Sequence, residues 1–470
     1  MSPRFRKASP RRLAIERLEN RVLLDAGGLA VWLPGAATNL GELVFYRDQY
    51  ADLSGGDLSY EFLAAHDAVL AAEASSASGS RATIALFDAE GNLLAEQEGP
   101  TSRIDHDAVA GRRYFITLSG GAAEFDLRIA NQVGRDDGNE LPIFGSPDDD
   151  VFEIASSGLE GKVNGIAYTF TPAAFSDPPR DRMRLSIDGG GGNDTVQLRG
   201  LDAELHASPE LVAFVSMYYE AEASRITYVH AYGEGDGDVA YLDGSAGQDK
   251  LKIEPDYDHV KLIGSGYTLR AKFFERVVVD TGEGEDLARV WDTPSEDHLF
   301  FQPGQFQFIS LAGWDVRAAG IESAIFRSTL GGADKAILQD SPGDDLFFAR
   351  PHKSIWSGPG FDLTVRGASF IEVHSTDGGY DRAKLHGNQA GDQFETLGRN
   401  AGLSQTGGTF TPLYAVHAFD WVKAYAHGGE QDVCALDPDA AFETVLDGEW
   451  TEVSKEELTE RLLQDGGGFF

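Results

Sequence analysis

The residues best placed to do chemistry in this chain are its carboxylates, and they are regularly spaced. Of 470 residues, 76 are Asp or Glu. Aspartates with glycine just upstream recur at Asp194, Asp238, Asp286, Asp334, Asp381 and Asp432, at intervals of 44, 48, 48, 47 and 51 residues. A second set falls 11 residues after four of them, at Asp249, Asp297, Asp345 and Asp392. Carboxylates in company can run acid–base catalysis or hold cations. Adjacent pairs such as Asp344-Asp345, or the run Asp148-Asp149-Asp150, carry almost no catalytic information in so acidic a chain. The 11 His are scattered without a paired metal spacing, and Cys434 stands alone. No P-loop, nucleophile elbow or zinc motif occurs. A formal net charge of −37 and a pI near 4.5 set the chain against nucleic acid, anionic membranes and polyanionic substrates. Cations are its natural partners. The same acidity also keeps a large extracellular protein soluble.

The most pointed motif is Gly189-Gly190-Gly191-Gly192-Asn193-Asp194-Thr195-Val196-Gln197. It satisfies the nonapeptide G-G-x-G-x-D-x-U-x and resembles the calcium-binding β-rolls of RTX proteins. That resemblance implies Ca²⁺ held by backbone carbonyls and aspartate between successive turns, with Gly190, Gly192 and Asp194 as candidates and Asp238 and Asp286 as further ones. The other copies are degraded, as in Gly282-Glu283-Gly284-Glu285-Asp286, and spacings of 11 and about 37 residues are not multiples of nine. A plainer account is that glycine supplies positive φ and aspartate caps the turn.

Elements must position these acids, and the flanking pattern says which. Two residues after each first-set aspartate sits a small or apolar side chain: Val196, Ala240, Ala288, Ala336, Ala383 or Cys434. Four residues after sits Leu198, Leu242, Val290, Leu338, Leu385 or Leu436. Period-two burial of this kind specifies a strand, and it makes Cys434 a small buried residue rather than a nucleophile. A glycine–aromatic step follows at Gly266-Tyr267, Gly313-Trp314 and Gly360-Phe361. Free interchange of ring types points to one internal column more than to a sugar-binding platform. An apolar–acidic step comes next: Phe274-Glu275, Ile321-Glu322, Ile371-Glu372 and Phe419-Asp420. One unit cannot bury its own core, so the units must stack. The expected fold is all-β, a β-sandwich followed by a β-solenoid, specifically a parallel β-helix of about six 48-residue repeats over 134–440. Each repeat is expected to make two coils of about 24 residues, and one copy around 195–235 is degenerate. A β-propeller is the rival, disfavoured because the copies vary in length. Intervals from Asp238 to Asp381 are nearly constant, which leaves no room for catalytic loops.

The flanks add context. Over 38–132, Leu58–Leu63, Ala82–Phe87, Arg112–Leu118 and Glu124–Ile129 read as strands of a sandwich, with a hairpin turn at Asp88–Asn92. The run Ile84–Asn92 followed by Ala110–Ile116 is similar to the bacterial pre-peptidase C-terminal domain, which implies a jelly-roll-like accessory module of secreted proteins. Residues 1–30 form a basic segment: seven Arg and Lys fall within the first 21 residues. At Leu18-Glu19-Asn20-Arg21-Val22-Leu23-Leu24 it resembles the LEPR-XLL motif of planctomycete-type surface proteins, with Asn20 where that family has proline. The resemblance implies export or surface sorting, and the glycine–aspartate repeats of such proteins are similar to those here. No apolar run of about 18 residues exists to cross a membrane. At 450–466, Ser454-Lys455-Glu456-Glu457 is a capping box, with Val453 and Leu458 as its staple and Leu458, Leu462 and Leu463 as an apolar stripe. This predicts a helix that caps the solenoid or binds a partner. Taken together the expectation is a non-catalytic extracellular or cell-surface structural or adhesive protein, binding calcium, with cell-wall or matrix polysaccharide or other surface proteins as partners. The alternative is a polysaccharide lyase or hydrolase on a β-helix.

Overall fold

A computed structural model describes residues 23–24, 30–31, 37–135, 140–170, 182–405, 413–428 and 432–464. Most of the basic N-terminal segment, including residues 18–22 of the export-like motif, lies outside the described residues. The protein is almost entirely β and divides into two compact units, residues 1–135 with 142–145, and 136–141 with 146–470.

In the first unit, five strands run in the order Thr38–Leu43, Leu58–Ala64, Arg113–Gly120, Ala82–Asp88, Leu93–Gly99. A second set, Phe45–Asp52, Glu124–Gly134, Ala68–Ser75 and Thr101–Asp107, pairs antiparallel throughout. Alternating side chains of both sets fill one interior, with Leu70, Ile84, Ile116 and Leu127 wholly buried. The expected hairpin forms: the Asp88 carboxylate accepts the N–H groups of Glu90 and Asn92, at 3.0 and 2.8 Å.

The second unit is a β-solenoid, neither barrel nor propeller. Two sheets face each other, and the chain passes from one to the other at every corner. The stretch after Asp238 shows the rule. Val239–Asp243 lies in the second sheet, the meander Lys250–Glu254, His259–Gly264, Tyr267–Lys272 in the first, and Arg276–Asp280 in the second again. After Asp286 the same pattern runs on opposite faces: Leu287–Trp291 in the first sheet, the meander Asp297–Gln302, Gly304–Ser310, Asp315–Ile321 in the second, Ser323–Arg327 in the first. Each meander is laid down backwards. Its last strand pairs in parallel with an earlier single strand (Tyr267–Lys272 with Tyr228–Gly233), and its first with a later one (Lys250–Glu254 with Leu287–Trp291).

This corrects the expected two coils per unit. A unit has three elements and three crossings, and three is odd, so successive copies fall on opposite sheets. Ala240 and Ala336 face the interior from the second sheet, Ala288 and Ala383 from the first, all at 0% exposure. The structural period is therefore two units, the 96 residues from Asp238 to Asp334. The single aromatic column does not form for the same reason. Tyr267 and Phe361 open strands of the first sheet and are buried, whereas Trp314 precedes a strand of the second and is half-buried. The core is instead filled by rings that meet across the gap, Phe301 on Phe361 and Phe308 on Phe326, with centroids 5.8 and 6.1 Å apart.

At the C-terminal end, the helix Lys455–Gln464 begins with Ser454 Oγ accepting the Glu457 N–H at 3.2 Å. Leu458 is buried against Val433 and Ala435, with Val453 packed beside it. The side chains of Leu462 and Leu463 lie outside the described residues.

Candidate functional site

Three features of the second unit could carry function: the corner carboxylates, a cavity on the outer face of the second sheet, and a cluster of two histidines and a glutamate.

The corner carboxylates are buried, between 0 and 3% exposed in both sets. Each first-set aspartate accepts the backbone N–H of the second-set residue one copy earlier: Asp194 from Asp150 (2.8 Å), Asp286 from Asp249 (2.7 Å), Asp334 from Asp297 (2.9 Å), Asp381 from Asp345 (2.7 Å), Asp432 from Asp392 (2.9 Å). In the degenerate copy Ala203 takes the slot and donates the same bond to Asp238, at 2.5 Å. Only a backbone N–H is needed, so alanine serves. The second-set aspartate caps its own turn, taking the N–H and hydroxyl of a residue four earlier: Ser146, Ser245, Thr293 or Ser341, and Asn388 through its N–H. That Ser/Thr/Asn-x-x-x-Asp signal is legible in the sequence and was missed. A third acid caps the first-set N–H: Glu275 that of Asp238, Glu322 that of Asp286, Asp420 that of Asp381. The fourth expected member of that series was misplaced. Ser369 and Phe370 donate to the Asp334 carbonyl as Asp420 and Trp421 do to Asp381, so the slot is Ser369 and not Glu372.

Burial pushes four of these acids up, to about 6 for Asp194, Asp334 and Asp345 and about 7 for Asp392. Of the calcium candidates, Gly190 and Gly192 take positive φ, 80° and 89°, and a side chain at Gly192 would run into the backbone of Asp148. Asp194 follows that turn with Oδ1 engaged by Asp150, while its Oδ2 is buried with no hydrogen-bond partner. Asp238 opens a strand of the second sheet and Asp286 one of the first, so the five candidates are not gathered at one point. The densest buried carboxylate group among the described residues is elsewhere: oxygens of Asp292, Asp297 and Asp334 lie within 4.8 Å of one another.

The cavity, of about 400 Å³, opens on the outer face of the second sheet. Its lining includes Phe300, 37% exposed, with Gln302, Gln305, Gln307, Gln339 and Arg317. Among the described residues, no Asp or Glu lines it. In strands with alternating burial these side chains all point away from the core.

The histidine cluster adjoins it. Ile337 and Gln339, which line the cavity, pair with Glu372 and His374 on the next strand. Glu372 and His374 are two apart and share one face, and His374 pairs with His417 across Phe370–His374 and Leu413–His417. Burial, and then the neighbouring His374, holds His417 below the usual histidine range. No local spacing signals this cluster, because His374 and His417 lie 43 residues apart on different strands.

No family model matches the chain, and no curated protein matches it. Among solved structures, the chain is similar to the pre-peptidase C-terminal domain of a collagenase from Bacillus anthracis, at 17% identity over 21% of this chain and 96% of that one, with a TM-score of 0.17. It is also similar to the catalytic unit of a thermostable GH87 α-1,3-glucanase from Streptomyces thermodiastaticus, at 10% identity over 84% and 88% of the two chains, with a TM-score of 0.16. At these scores neither likeness carries an argument about function.

Proposed function

We propose that this is a non-catalytic, extracellular or cell-surface repeat protein that binds polysaccharide on the outer face of its second sheet. The observation that carries the reading is the composition of the cavity. Planar amides at Gln302, Gln305, Gln307 and Gln339 and the guanidinium of Arg317 offer paired donors and acceptors to hydroxyls, and the ring of Phe300 offers an apolar face to a sugar ring. Glycoside hydrolysis ordinarily needs two carboxylates flanking the bond, and among the described residues the cavity lining has none, which favours binding over cleavage. Export rests on the LEPR-XLL-like segment, and an adhesive role on the presence of a stacked repeat unit and a sandwich module in one chain. The test is affinity electrophoresis or calorimetry against neutral cell-wall and matrix polysaccharides, with reducing-end release followed in parallel. Binding lost in Phe300→Ala and Gln305→Ala without sugar release supports the reading; release of reducing ends replaces it with the lyase or hydrolase alternative.

A specific observation also favours calcium at the Gly190–Gly192–Asp194 turn: the buried Oδ2 of Asp194 has no hydrogen-bond partner, and a cation would satisfy it. Calcium added to metal-free protein is expected to raise the melting temperature, and less so in Asp194→Asn. An unchanged melting temperature removes calcium from the proposal.

A further inference from the structure

We infer that Glu372, His374 and His417 form a binding site for a divalent transition-metal ion on the outer face of the second sheet, beside the cavity. Three ligand atoms of the right kinds already converge. His374 Nε2 and His417 Nε2 lie 3.0 and 3.2 Å from the same oxygen, Glu372 Oε1, and all three donors fall within 4.8 Å of one another. Around an ion with bonds of about 2.0–2.1 Å, ligands at 90–109° are separated by roughly 2.9–3.4 Å. Both histidine–glutamate separations fall in that range, and the two histidine nitrogens lie within 4.8 Å of each other.

Hydrogen bonding at the far side of His417 points the same way. Its Nδ1 lies 3.0 Å from Asn400 Oδ1, on the strand that pairs His417 with Asn400. An amide oxygen only accepts, so Nδ1 is the donor in this bond and Nε2, at the other side of the ring, is turned toward Glu372 Oε1. An orienting partner on the far ring nitrogen is the usual second shell of a metal-bound histidine. The rings of His374 and His417 stack at 4.5 Å and 12°, held in register by the parallel pairing of their strands. The side chains are 19–33% exposed, so an ion can enter from solvent and keep coordination positions open.

Donor chemistry sets the ion class. Two imidazoles and one carboxylate suit zinc, cobalt, nickel, copper or ferrous ion rather than calcium, which takes an all-oxygen shell. The site is independent of the corner aspartates and does not rely on sugar binding at the cavity. Gln339, exposed and paired with His374, places an amide on the adjoining strand.

Cobalt(II) is the probe, because its visible absorption reports coordination. Titration of metal-free full-length protein is expected to saturate at one ion per chain, displaceable by zinc. His374→Ala and Glu372→Gln should abolish the spectrum while circular dichroism stays unchanged, and Asn400→Ala should weaken binding roughly 10–100-fold, as loss of an orienting partner does. The control is His427→Ala, which removes the other histidine pair, His386 with His427 at 3.1 Å, and should leave the signal intact. The inference fails if cobalt binds no more tightly to wild type than to His374→Ala, or if His427→Ala removes the signal; a plain histidine–carboxylate ion pair would give the first result.

Discussion

Asp381 shows what a single acid does here. Its Oδ1 accepts the Asp345 N–H at 2.7 Å, its Oδ2 takes the Ser375 hydroxyl, and its own N–H is held by Asp420. A buried N–H left without an acceptor costs about 1–3 kcal/mol. Asp381→Ala is therefore expected to lose that much stability by urea unfolding. Asp381→Asn keeps an acceptor oxygen without a buried charge and should lose less than about 1 kcal/mol. Equal losses would mean that the charge, not the acceptor, matters. At the same scale, glycine near these acids is a matter of room: a side chain at Gly358 would run into Asp345 Oδ1.

At the scale of the element, the meander and its core ring matter most. Trp356 sits in the central strand Lys353–Gly358, fully buried between Phe347, Phe361 and Phe419, and donates its indole N–H to the Gln339 carbonyl at 2.9 Å. Trp356→Ala removes a large ring from a packed interior together with its hydrogen bond to that carbonyl, and is expected to cost roughly 3–5 kcal/mol, read as a lowered denaturation midpoint. The terminal helix depends on its cap: Ser454→Ala should cost about 1 kcal/mol by the same measurement.

For the whole molecule the governing term is charge. Burial raises Asp194, Asp334 and Asp345 to about 6 and Asp392 to about 7, above the ordinary 3.8 of the unfolded chain. Between those limits the folded state binds more protons than the unfolded one, so these groups contribute most below pH 4 and the contribution is lost as pH rises to 7. Self-repulsion at net charge −37 acts in the same direction. The melting temperature is expected to rise as pH is lowered from 8 to 5, and to rise with added salt at pH 8. A flat pH profile would mean that the corner aspartates ionise freely in the fold.

The chain's own pattern determined the all-β class, the solenoid, the 48-residue spacing and the burial of each alanine slot, because alternation along one strand is a local property. The turn-capping Ser/Thr/Asn-x-x-x-Asp motif was equally local. Which sheet a given copy joins was not legible: it depends on the number of crossings per unit, three here, and parity is a property of the whole path. The histidine cluster is decided the same way. Glu372 and His374 share a strand face, but only the pairing of distant strands brings His417 opposite them and sets both beside the cavity. Local sequence chooses strands and turns; long-range pairing chooses neighbours, and binding chemistry belongs to neighbours.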